Sequence, residues 1–227
     1  MISISSLMVV LFSGFIQGCL YALISSGVTF EWGIAKDLNF ALGAMATWGA
    51  YIVWSFLYAP AFKLGYVESI LVMISIAFLA GLALNHLVLR RLRHKVNADI
   101  NIFVATLGIS TFLENAALLV FGGRLKRLPP LLEGTVNLGP VNVTLHRILI
   151  ACVALSILVV LGLFLSRTRS GMATRAVAQD KEAALLMGIN VERSYAIAVG
   201  MATVFVAISV FYKDTPLFIT PTMGTTP

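Results

Sequence analysis

Long uncharged stretches separated by short polar ones set the pattern of this chain. Charged residues are absent from Met1 to Phe30, Leu38 to Phe62, Ser69 to Leu89, Ile148 to Ser166 and Ser194 to Tyr212, and Ile100 to Gly123 carries one, Glu114. Each stretch is near or above the roughly 18–20 residues a helix needs to cross the hydrocarbon core of a bilayer. The pattern therefore predicts about six membrane-spanning helices. The first stretch has no positive leading region and no small-x-small cleavage site, and its apolar run is too long for a signal peptide, so it is read as a helix of the protein.

Composition agrees. With 59% hydrophobic residues, 11% charged residues and a mean hydropathy of +0.95, the chain is outside the range of a soluble globular domain and is read as an all-α, polytopic membrane helix bundle. A net charge of +6 would suggest nucleic acid in a soluble protein. Here most Lys and Arg fall in loops, which the positive-inside rule explains, and no nucleic-acid partner is expected. Arg90, Arg91, Arg93 and Lys95 form one cluster; Arg167, Arg169, Arg175, Lys181 and Arg193 form another. Two spans separate them, so both fit one cytoplasmic side, with the loop Arg124 to Arg147 outside. Pro129, Pro130, Gly134, Asn137, Gly139, Pro140 and Asn142 make that loop a compact excursion, with a small hairpin over 132–145. The same count places the amino terminus outside and the Glu31 to Asp37 loop inside, unless Trp32 to Gly43 is re-entrant. Cys19 and Cys152 sit in apolar spans as small hydrophobes, and His86, His94 and His146 do not cluster with carboxylates at ligand spacing. No disulfide, metal or other cofactor is expected.

One polar island stands out, residues 166–193, SRTRSGMATRAVAQDKEAALLMGINVER. Asp180 suits an N-cap for Lys181 to Met187, Glu182 lies near the positive end of that turn, and Gly188 is a stop signal. The result is two short helices with a bend. On the second, Ala183, Ala184 and Met187 offer a low-profile apolar surface beside Lys181 and Glu182. A helix this short is marginal alone in water and needs a docking surface. The pattern Gly171, Met172, Arg175, Ala176, Asp180, Ala183, Ala184, Leu186, Gly188, Ile189, Asn190 resembles the cytoplasmic coupling loop of the permeases in branched-chain amino-acid ABC importers. Gly18 to Ala44, Ala105 to Gly123 and the ITPTMG run at Ile219 to Gly224 resemble the same family in the same order.

The resemblance implies a single permease domain over 1–227 in the plasma (inner) membrane. It implies coupling through Arg175, Asp180, Lys181, Glu182, Ala183, Ala184, Gly188 and Asn190. Its expected partners are cytosolic ATP-binding subunits, a second permease, an extracytoplasmic substrate-binding protein and the lipid bilayer. ATP hydrolysis would belong to the partner, since no Gly-x-x-x-x-Gly-Lys-Ser/Thr loop occurs here. The cargo implied is a branched-chain or related amino acid, with urea or a short amide as an alternative. A stand-alone secondary carrier or a non-transporting scaffold is the competing class.

For the translocation path, Asn39, Phe40 and Gly43 at the start of a span suit a broken helix whose free backbone groups face a cavity. The family pattern reads Asn-Phe-Ala-His-Gly, and Leu42 stands in place of the His. Glu114 and Asn115 are the other path candidates, because an intramembrane carboxyl is costly unless protonated, paired or hydrated; hydrogen bonding across helices is the alternative role. The Gly14/Gly18 pair and the small residues Gly43, Ala46, Thr47, Gly49 and Ala50 are candidates for close helix packing. Family members continue past the ITPTMG-like run with further helices, so the chain is expected to be incomplete at its carboxyl end.

Overall fold

The computed structural model describes residues 4–58, 64–129, 131–132, 134–138, 141–210 and 217–224. The turn positions Pro130, Gly139 and Pro140, the span ends at Phe62 and Tyr212, and Pro227 lie outside the described residues. Helices α1 (Ile4–Ala35), α2 (Ala41–Tyr58) and α3 (Tyr66–Leu84) come first. A π-helical turn, Asn85–Leu89, and the single turn α4 (Arg90–Leu92) prolong α3. Then follow α5 (Ala98–Phe121), strands β1 (Lys126–Leu128), β2 (Thr135–Leu138) and β3 (Val141–Thr144), α6 (Leu145–Arg167), α7 (Arg169–Gln179), α8 (Lys181–Leu186), α9 (Val191–Val210) and β4 (Leu217–Ile219).

Among the described residues, five helices are long and apolar enough to span a bilayer: α1, α3 with its extension, α5, α6 and α9. The sixth expected span is α2. Its 18 residues give a length of about 27 Å at helical rise, but Thr47, Trp48, Tyr51 and Trp54 dilute its hydropathy. The reason is its position. Ala41, Leu42, Ala44, Ala46, Ala50, Tyr51 and Val53 are buried between α3, α5 and α9, so α2 faces protein where α1, α5 and α6 turn a face to lipid. The outward faces of α1, α5 and α6 carry bare apolar side chains, including Val10, Phe15, Phe112, Leu119 and Val160, the surface a bilayer covers. This is a multi-pass membrane protein.

Helix α9 is the axis of the bundle, with 67% of its apolar window buried against 22–28% for the other four. Lipid gives helices no hydrophobic reason to associate, so contact depends on close van der Waals packing and small residues. Three neighbours each present a glycine to it. A Cβ on Gly27 of α1 would lie 3.2 Å from the Ala202 carbonyl, one on Gly49 of α2 would lie 3.1 Å from the Ala207 methyl, and one on Gly81 of α3 would lie 2.8 Å from Gly200 Cα. The Gly14/Gly18 pair expected to pack in this way meets no neighbour among the described residues: a methyl group added at either position would have none of their atoms within 4 Å.

The two basic clusters meet at one end. Arg93, just beyond α4, reaches into the bundle, where its Nε donates to Asp37 Oδ2 at 2.8 Å and Nη2 contacts the same oxygen. Nη1 donates to Asn85 Oδ1 at 2.8 Å, and the guanidinium lies 4.5 Å from the Tyr195 ring centroid. Arg90 pairs with Glu192 at 3.4 Å. Thus the α1–α2 connection, the end of α3 and the start of α9 share one buried guanidinium. At the far end, β2 and β3 form the expected hairpin, with Val136 opposite Val143. A second pair has no local signal in the residue pattern: β4 lies antiparallel to β1, Arg127 opposite Phe218. From there the chain turns back along α2 until Gly224 N donates to Thr47 Oγ1 at 2.9 Å and its backbone abuts Gly43.

Replacing Gly81 with Val is expected to lower stability by about 1–3 kcal/mol through overpacking against α9, whereas Gly108→Ala, with open space around it, is neutral or stabilising. Thermal unfolding in detergent checks both. Arg93→Met leaves Asp37 buried and unpaired, at an expected cost of about 3–5 kcal/mol, part of which the double variant with Asp37→Asn restores. Burial raises the Asp37 carboxyl above its ordinary value and Arg93 only partly offsets this. Between the two values the unfolded chain binds fewer protons. This group's contribution is therefore complete below the ordinary aspartate pKa and is lost as pH rises through the raised one, and Asp37→Asn should flatten that slope in a pH series of unfolding temperatures.

Candidate functional site

Helix α1 stops at Ala35, Lys36 takes a left-handed φ of 59°, and the chain has no regular secondary structure to Asn39 before α2 begins. No re-entrant helix forms between Trp32 and Gly43. Asn39 starts α2 by accepting the Ala41 N–H at Oδ1, 3.0 Å. Thr106 of α5 holds the connection, accepting the Phe40 N–H at 3.2 Å and donating towards the Leu38 carbonyl at 3.3 Å. Phe40 also meets Phe103 edge to face, with centroids 5.0 Å apart. Thr106 of α5 and Asn39 itself thus meet three of the backbone groups freed by the break.

Beneath this break lies a cavity of about 540 Å³ between α1, the connection, α2, α5, α9 and the returning Gly224. Asn39, Phe40 and Gly43, three of the five path residues expected from the sequence, line it. The fourth, Glu114, is half-buried one turn further along α5 and accepts from Ser110 Oγ at 3.2 Å; Ser110 lines the cavity. Asn115 does not join them. It is exposed, and its Nδ2 donates to the Thr111 carbonyl of its own helix at 2.8 Å. Leu42, at the position of the family's His, lines the wall as an apolar residue.

Two further cavity residues carry no motif that marks them in the sequence. Glu31, on the last turn of α1, is 1% exposed, and its carboxyl faces the Asn39 side-chain amide without a hydrogen bond of normal geometry to it or to any other described residue. Asp37 lines the same cavity while tied to Arg93. Their one signal is that each acid abuts an uncharged window, Glu31 at the end of the first and Asp37 at the start of the second, where a charge reads as a loop residue.

The polar island folds as two helices with a bend at Asp180. Thr168 Oγ1 caps α7 by accepting the Gly171 N–H at 2.9 Å, and Asp180 Oδ1 accepts from Glu182 N and Ala183 N at 2.9 and 3.0 Å. Gly188, at φ 75°, ends α8 in a Schellman motif: Ile189 N donates to the Ala184 carbonyl and Gly188 N to the Leu185 carbonyl, both at 3.0 Å. Asn190 Oδ1 accepts Arg193 N at 3.0 Å and so caps α9. Asp180, Gly188 and Asn190 are therefore committed to local architecture. Arg175 is exposed beside a separate apolar cavity between α1, α6 and α7.

The apolar surface of α8 differs from the expected one. Ala184 faces inward, buried with Phe30, Ile34, Val177 and Tyr195, while Ala183, Lys181 and Glu182 remain exposed. The outward apolar face is Leu185, Leu186 and Met187, the last two 90% and 81% exposed. Three residues per side of so short a helix leave no room for Ala184 to serve both faces.

The profile of the family described as branched-chain amino acid transport system / permease component matches residues 10–211. The chain is 33% identical over 193 residues to the high-affinity branched-chain amino acid transport system permease protein BraD of Pseudomonas aeruginosa, covering 79% of this chain and 62% of that protein. It is 27% identical over 212 residues to the corresponding LivH proteins of Salmonella typhimurium and Escherichia coli, covering 88% of this chain and 68% of each. The chain thus spans about three-fifths to two-thirds of the length of these relatives. No solved structure gives a significant match. With a family profile covering most of its length, laid over a helical bundle of the expected kind, the chain belongs to the branched-chain amino acid transport permease family.

Proposed function

We propose that this chain is a transmembrane permease subunit of an ATP-binding-cassette importer that moves branched-chain or related amino acids into the cell across the inner membrane. It forms a membrane-spanning permease domain in which 166–193 is the cytoplasmic coupling segment. It carries no catalytic step itself. ATP is hydrolysed by a cytosolic partner that docks on α8, a second permease completes the pathway, and an external binding protein delivers the cargo.

The observation that carries this reading is the physical connection between α8 and the cavity. On its outer face α8 presents Leu186 and Met187, too exposed and too apolar to be left in water. On its inner face Ala184 packs into one cluster with Phe30 and Ile34 of α1 and Tyr195 of α9. Tyr195 stacks under Arg93, Arg93 holds Asp37, and Asp37 and Asn39 border the cavity. A partner that shifts α8 therefore pushes on the end of α1 and the connection above the cavity. Two packings of this region, close in energy and biased by the partner's nucleotide state, would give alternating access. Glu114 is bonded within its own helix, which favours a structural part in the wall of the path over direct contact with cargo.

Leu186→Glu is expected to lower ATP-driven uptake in a reconstituted complex and to weaken co-purification of the ATPase by roughly tenfold or more, the scale of losing a buried apolar anchor, while membrane insertion stays intact. Gly188→Pro cannot adopt the observed φ and should impair uptake with insertion preserved. Undiminished uptake by both variants would remove α8 as the coupling element.

A further inference from the structure

We propose that the polar pocket between the end of α3 and the head of α9 holds the phosphate headgroup of a phospholipid with net negative charge, such as phosphatidylglycerol. That this end of the bundle lies in the cytoplasmic leaflet rests on the permease reading. The headgroup site itself rests on the walls of the pocket.

The pocket has a volume of about 530 Å³ and shares no lining residue with the cavity beneath the α1–α2 break. Leu82, His86 and Arg90 follow one another along α3 and its extension, about one turn apart, and together cover about 12 Å of helix axis. The opposite wall is α9, with Ala196 deeper in the span and Glu192 and Arg193 at the rim. Arg90 meets Glu192 across the gap, so the two rims lie side by side. Both walls therefore pass from apolar to basic in the same direction. A phospholipid has that order, from acyl chain through glycerol to phosphate, and a soluble anion does not. Deeper still, Leu79 of α3 is 62% exposed and continues the apolar side of the track.

The donors at the rim select a phosphate. Arg90 pairs with Glu192 through Nε, and no other hydrogen bond or ion pair engages its guanidinium among the described residues. The side chain of Arg193, which is exposed, has none at all among them. Two guanidiniums thus face one carboxylate, and guanidinium geometry suits phosphate oxygens taken two at a time. His86 adds an imidazole N–H, a donor in either protonation state. The π-helical turn Asn85–Leu89 builds this wall: Asn85 is buried against Arg93, while His86, the next residue, is exposed at the pocket. Turns of this kind frequently mark functional sites. Just beyond, Arg91 and Lys95 are exposed and add to the attraction of an anionic membrane surface. Basic pockets between membrane helices are a recurring form of lipid headgroup site.

The test uses the purified permease complex, delipidated in detergent and titrated with phosphatidylglycerol, phosphatidylcholine or phosphatidylethanolamine of identical acyl chains, with bound lipid counted by native mass spectrometry. The tightest-bound phosphatidylglycerol is expected to bind at lower concentration than either zwitterionic lipid. Arg193→Gln combined with His86→Gln should weaken it by about tenfold or more, the effect of losing charged hydrogen-bond partners, whereas Arg124→Gln, at the opposite end of the bundle, should not. Should the double variant fail to assemble, Arg193→Gln alone decides, since that side chain makes no contact the fold depends on. Equal binding of the three lipids, unchanged phosphatidylglycerol binding in the variant, or displacement of the lipid by glycerol 3-phosphate at comparable concentration, the mark of a soluble-phosphate site, would overturn the proposal. ATP-driven uptake measured on the same preparation separates the two levels. Uptake that persists while lipid selectivity fails sinks the headgroup site and leaves the permease, whereas selective phosphatidylglycerol binding without ATP-driven uptake sinks the permease reading and leaves the pocket.

Discussion

Close approach to α9 is the constraint on which the bundle depends. Water drives apolar faces together in a soluble protein, but lipid solvates an exposed Leu as well as a neighbouring helix does, so association needs intimate contact. Here it comes from backbone meeting backbone. Gly27, Gly49 and Gly81 let α1, α2 and α3 settle against Ala202, Ala207 and Gly200, and the resulting core is built from alanine, valine and threonine at least as much as from large side chains. Small residues pack closely in more than one register. Helices that meet in this way, through Cα atoms, have few interlocked side chains between them.

Arg93 then ties one end of the bundle together. It draws the α1–α2 connection, the π-helical turn at the end of α3 and the head of α9 onto one guanidinium, and Tyr195 passes the contact on to the cluster that holds α8. The π turn has a direct use here: Asn85, its first residue, is buried and accepts from Arg93. Polar contacts that are buried and shared are hard to break one at a time, so the end of the bundle responds as a unit. Continuous packed contacts thus run from α8 to the edge of the cavity.

Much of the architecture was legible because membrane burial is written in composition. The long helices follow from windows with no charge or, over Ile100 to Gly123, one; the small hairpin follows from its turn residues, and the bend in the polar island from Asp180 and Gly188, each of which makes the cap or stop its chemistry suggests. Less was legible about the site. Asn39, Phe40 and Gly43 read as a broken-helix element and do border one cavity, whereas Asn115, adjacent in sequence to Glu114, points away from it, since a single residue step turns a helix by about 100°. Gly14 and Gly18 carry the packing motif without a packing partner among the described residues, while the single glycines at 27, 49 and 81 make the contacts.

By itself the sequence determined that this is a multi-pass helical membrane protein with a capped, bent segment between the spans α6 and α9, because hydropathy and capping are local and need no knowledge of neighbours. Tertiary structure alone decided which helix became the axis, that Ala184 faces inward while Leu186 faces out, and that Asp37 meets an arginine 56 positions away. It also decided that Glu31 is buried facing the Asn39 amide at one cavity. Those outcomes depend on which faces of different helices come together, and in a bundle whose helices are apolar nearly all round, no periodicity along the chain records that choice.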